Sequence, residues 1–176
     1  RARRGRGHAG CITLNPMSDA LATYLHDHLA GATFAVNLLE ALRDKAPAHA
    51  SFAGGLLQEI EADRAVLEDL TERMGGGASA LKDATAWVGE KLSRLKLGRT
   101  ASGDLGTFES LEMLALGIQG KLSLWKALAV VAASEAALHG IDFGHLAGRA
   151  QAQHAQVEQR RLELAPRALG AYRPAA

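Results

Sequence analysis

From Ser18 to Pro166 the apolar residues recur at steps of three and four, with no stretch of strict alternation. Only helices that bury one face use that period, so the chain is expected to be all-α, without strands or hairpins. In the first segment the stripe runs Leu21, Tyr24, Leu25, Phe34, Leu38, Leu39 and Leu42. Punctuation divides the chain into five segments. The first begins at Ser18 or Asp19, both good N-cap types, and runs to about Lys45, ahead of Pro47. The second spans Ala48 to Met74 and is ended by the glycines at 75–77. The third follows Ser79 and stops at Leu97 before Gly98, with Leu81, Val88, Leu92 and Leu95 as its stripe. The fourth runs from Asp104 to about Leu138, stopped by Gly140, and the fifth from Asp142 to the residue before Pro166. Short links make segments one and two, and four and five, antiparallel neighbours. A long connection carrying the shorter third segment joins the two hairpins, where a plain up-down bundle would need none.

A chain of 176 residues is long enough for one domain with a substantial core. Twenty Lys and Arg against 19 Asp and Glu leave no basic excess, so neither nucleic acid nor a membrane surface is an expected partner. No uninterrupted apolar run approaches ~18 residues, so no membrane span is expected either. Cys11 is the single cysteine, which fits a reducing compartment and a cytoplasmic location. Residues 1–17 read as a loose basic tail, 18–165 as the bundle domain, and 166–176 as a C-terminal tail. The tail contains the pair Arg3-Arg4 but no apolar segment of signal-peptide length. Met17 is the expected first native residue, which the mass of the native protein tests.

Chemistry enters where carboxylates fall on apolar faces. At ~100° per residue, Phe52, Leu56, Ile60, Val66, Leu67, Leu70 and Met74 share one face of the second segment. Glu59 and Asp63 fall in the middle of it, while Glu61, Glu68 and Glu72 fall opposite. An unpaired buried carboxylate costs several kcal/mol, so the two require either a cationic side chain from a neighbouring helix or a metal ion. Both remain open. In the first segment Asp27 lies at the border of the apolar face, and His28 nearer its centre. Glu109 and Glu112 share a face of the fourth segment with Gln119, Ser123 and Lys126. That face either meets water or is covered, since Leu105, Phe108, Ala115, Leu116 and Val130 lie among the polar residues. On the fifth, His154 and Gln153 lie between Ala150 and Val157 on the inward stripe.

Other reaction classes lack their motifs. The chain has no Gly-x-Ser-x-Gly, no phosphate-binding loop and no dinucleotide fingerprint. A basic cluster on the third segment, Lys91, Arg94, Lys96 and Arg99, has no interleaved aromatics and reads as a solvated face.

The run Tyr24 to Gly31, Tyr-Leu-x-Asp-His-Leu-Ala-Gly, resembles the first helix of short bacterial members of the ferritin-like superfamily. The resemblance covers residues 18–165 and implies an antiparallel four-helix bundle with a long crossover carrying an extra helix. It also implies a carboxylate-rich site for iron or manganese. Asp27 would stand for the first-helix carboxylate, Glu59 for the second, Glu109 or Glu112 for the fourth segment, and His154 for the fifth; Asp63, on the same apolar face as Glu59, joins them as a candidate ligand. A reaction there would be metal-linked redox or peroxide handling. The superfamily's Glu-x-x-His pair is missing, however: Ala62 stands three after Glu59, and Gln151 three before His154. Two functions follow from this pattern. One is a variant divalent-metal site. The other is a non-enzymatic structural or interaction bundle with a degenerate site, capable of homo-oligomerisation.

Overall fold

The computed structural model describes residues 16–75 and 103–170, and these are all-helical. Four long helices form: α1 (Pro16–Lys45), α2 (Ala50–Arg73), α3 (Asp104–Val131) and α4 (Phe143–Ala168). The third sequence segment, with its basic cluster, lies outside the described residues, as do most of both tails.

The boundaries depart from expectation at three places, each with a local cause. Helix α1 opens at Pro16, ahead of Ser18 and Asp19, because a proline needs no amide donor in a first helical turn. Helix α3 stops at Val131, well short of Leu138. The chain extends at Glu135 (φ −120°, ψ 106°) and makes a separate 3-10 turn over Ala136–Leu138 that buries Leu138. Helix α4 runs through Pro166 to Ala168. Leu169 N–H donates to Ala165 O and closes that last turn before Gly170, at φ +74°, leaves the helix.

Helices α1 and α2 form one hairpin around a 3-10 turn at Pro47–His49, and α3 and α4 form the other. One contact between the hairpins and one within the second orient the helices. Arg73, ending α2, donates to Ala137 O and His139 O just beyond the end of α3. Arg167, ending α4, reaches Asp104 at the start of α3, at 3.3 Å. Helix α2 therefore ends beside the end of α3, and the two run parallel. Leu25 and Leu39 of α1, Leu70 of α2, Leu111 and Trp125 of α3, and Ala150 and Val157 of α4 are fully buried in one core. Burying a large aliphatic side chain is worth about 1.5–3 kcal/mol, so this shared stripe dominates the stability of the bundle.

Helix α3 is the most apolar of the four. By length and composition it could cross a membrane, with a mean hydropathy of 1.3 over its best window, a test that core helices of globular proteins also pass. Along it Leu105, Leu116 and Val130 are exposed, Leu116 by 64% and Val130 by 80%, while Phe108 and Ala115 are buried. One flank is thus covered and the other open.

Candidate functional site

Asp63 is the one acidic side chain sealed in the core among the described residues, with 2% of its surface exposed. It sits on the inward stripe of α2, one turn after Glu59 and between Ile60 and Leu67. Its two carboxylate oxygens are divided between two cations of the other hairpin. Lys121 Nζ of α3 pairs with one, and a guanidinium nitrogen of Arg149, on α4, pairs with the other. Gln153, fully buried on α4, completes the cluster. Its amide nitrogen donates to Asp63 Oδ2 at 3.2 Å and to Glu59 Oε2 at 3.0 Å, while its amide oxygen accepts from Lys121. Three of the four helices therefore meet through five polar side chains.

Local sequence explains why these groups point inward. Lys121 follows Ile118 by three positions and precedes Trp125 by four, so it cannot leave the buried face of α3. Gln153 occupies the stripe formed by Leu146, Ala150 and Val157, and Arg149 is one turn before it. Burial pushes the Lys121 ammonium below the ordinary lysine range; Asp63 holds it up and Arg149 opposes that. A buried lysine with a carboxylate acceptor and a glutamine acceptor has two of its three protons placed.

The other expected site residues lie elsewhere. Asp27 and Glu109 are exposed. Glu112 is also exposed and reaches Arg161 across the α3–α4 seam at 3.4 Å. Arg161 is fastened to Glu158 as well and lies over the Phe108 ring, 5.1 Å from its centroid. His154 is half-buried on α4, next to Gln153 in sequence but about 100° round the helix from it. Among the described residues, no three histidine, cysteine, aspartate or glutamate side chains come together as a group able to hold a metal ion. Of the six candidates, Glu59 and Asp63 are brought together and the remaining four are not.

Three participants, Lys121, Arg149 and Gln153, were not singled out by sequence as partners of Asp63. A signal existed for two of them: Lys121 and Gln153 both interrupt apolar stripes at core spacing, as Asp63 does.

Next to the cluster, α1, α2 and α3 enclose a cavity of about 70 Å³. His28 of α1 borders it, packed edge-on against Tyr24 with ring centroids 4.6 Å apart. Burial lowers the pKa of His28, and Asp27 partly offsets this.

No protein-family model, curated protein or solved structure matches this chain.

Proposed function

We propose that this chain is a non-enzymatic helical bundle of ferritin-like layout, in which carboxylates at the positions of a metal centre hold the helices in register. The observation that carries this reading is the pairing of Asp63. Asp63, a candidate metal ligand one turn after Glu59, spends one oxygen on Lys121 and the other on Arg149. A cation entering there would have to displace an ammonium and a guanidinium, both of which repel it. Parallel α2 and α3, which require a long crossover between two hairpins, support the ferritin-like layout. Exposed Leu116 and Val130 on α3 support a role in assembly, as a homo-oligomer or with a protein partner.

The metal-dependent alternative, iron or manganese held by Asp27, Glu59, Asp63, Glu109, Glu112 and His154, has less support, since four of those side chains stand apart. Asp63→Ala separates the two readings. The register reading expects no stoichiometric iron or manganese in the parent protein after anaerobic Fe(II) loading and desalting. It also expects the variant to lose about 3 kcal/mol in urea denaturation, because a mostly buried ammonium and a partly buried guanidinium lose their partner. Retained metal in the parent, released by Asp63→Ala without loss of apo-protein stability, would overturn it.

A further inference from the structure

Helix α3 carries most of the large apolar side chains that the bundle leaves uncovered. Of the eight exposed among the described residues, five are on it: Leu105, Met113, Leu116, Val130 and Val131. Exposed polar residues join Leu105, Leu116 and Val130 into one stripe, Glu109 and Glu112 in its first half and Gln119, Ser123 and Lys126 in its second. From Leu105 to Val130 the members follow one another at alternating steps of four and three. With that spacing one helix faces another along its length at a shallow crossing of about 20°. Three charged side chains on the stripe make lipid a poor cover for it, and a helix is the fitting one.

Charge order along the stripe decides which helix fits. Its acids lie toward the start of α3 and its base toward the end. A parallel copy in register would set each glutamate on itself and Lys126 on Lys126, which repels. Turned end for end about an axis level with Gly117 and Ile118, a copy of α3 matches at every level. Leu105 meets the partner's Val130, and Glu109 meets the partner's Lys126. Nearer the axis Glu112 meets the partner's Ser123, and Leu116 meets the partner's Gln119. Two-fold symmetry repeats each of these layers, so both ends of the contact gain an ion pair and an apolar pair. Sliding one helix by a heptad loses them. Glu112 is not left alone in the stripe, since Arg161 of its own chain reaches it at 3.4 Å. Gly120 and Ala127 flank the stripe and leave room for close approach.

We propose that a second copy of this chain covers α3, the two α3 helices packing antiparallel about a two-fold axis level with Gly117. This rests on the assembly role proposed above and names its partner; the register role of Asp63 does not enter it.

Two helices about 10 Å across that meet along about 40 Å form a contact at the low end of stable interfaces, so dimerisation is expected over about 1–100 µM. Sedimentation equilibrium of the full chain at low ionic strength reads it directly. Lys126→Glu sets like charges opposite each other at both ends and is expected to weaken association about tenfold or more. Adding Glu109→Lys restores opposite charges and is expected to recover the association of the parent. Leu116→Asp, beside the axis, is expected to leave monomer. All three positions are exposed, so the circular dichroism of each variant should match the parent. A monomer at every concentration overturns the proposal and leaves α3 to a different protein or to residues 76–102 of its own chain. The register reading, tested by Asp63→Ala, would survive that outcome. A dimer indifferent to both Lys126→Glu and Leu116→Asp pairs through another surface and overturns it equally. A loss in Lys126→Glu that Glu109→Lys does not recover overturns the antiparallel arrangement.

Discussion

Asp63 and Glu61 are two residues apart on α2 and differ entirely in physical situation. Glu61 projects into water, while Asp63 turns inward and must find cations there. Helical spacing alone distinguishes them, so the burial of Asp63 was legible in the sequence; the identity of its partners was not. Lys121 lies 58 positions away and Arg149 86 positions away, and no periodicity links such distant residues. Glu109 and Glu112 show the opposite outcome. They share a helical face, as their spacing indicates, but that face is exposed, which depends on what the bundle leaves uncovered. His28 carries a residue-scale prediction. Its folded-state pKa lies below its unfolded value, so the folded protein resists the proton that the unfolded chain accepts. Its stability contribution is present above the unfolded pKa near 6.5 and is lost as pH falls through the lower folded value. In urea denaturation the parent is expected to lose stability relative to His28→Gln as pH drops from 7 toward 5. Parallel pH profiles would refute the assignment.

At the scale of the element, the helices were well marked by their period and poorly marked at their ends. Gly75, at φ +81°, ends α2 where the glycine run indicated, since only glycine takes that backbone without strain. Pro166 misled because a proline in a final turn forfeits one hydrogen bond without stopping the chain. Asp142 was expected to open the last helix, and it does: its carboxylate accepts from His145 N–H at 2.8 Å as the N-cap of α4. Asp142→Ala is expected to cost about 0.5–2 kcal/mol in urea denaturation. Gly55→Ala should act in the other direction. The position is helical and exposed, with nothing within 4 Å of an added Cβ. A gain of about 0.5–1 kcal/mol is expected from reduced backbone entropy in the unfolded chain. A loss in Gly55→Ala would mean that α2 is covered there by something outside the described residues.

At the scale of the whole molecule, the two hairpins share an apolar core and are pinned at one interior point by charge. An apolar stripe tolerates a shift of one helix along another, whereas an ammonium and a guanidinium on one carboxylate do not. Replacing the cluster wholesale, with Asp63→Leu, Lys121→Met, Arg149→Met and Gln153→Leu together, therefore separates stability from uniqueness. Denaturation midpoints are expected to hold or rise, by about 1–4 kcal/mol in stability, because the desolvation cost disappears. The amide spectrum is expected to broaden as the helices sample more than one register. Sharp, fully dispersed signals in that variant would remove the register role. The sequence by itself determined the helical class, the number of long helices and their pairing into hairpins, and it set Asp63 on an inward stripe, because all of these follow from local period and punctuation. Tertiary structure alone decided that α2 and α3 run parallel, that Asp63 and not Glu59 is sealed in the core, and that it meets two cations there. Those are relations between helices far apart in the chain, fixed by which buried faces pack together.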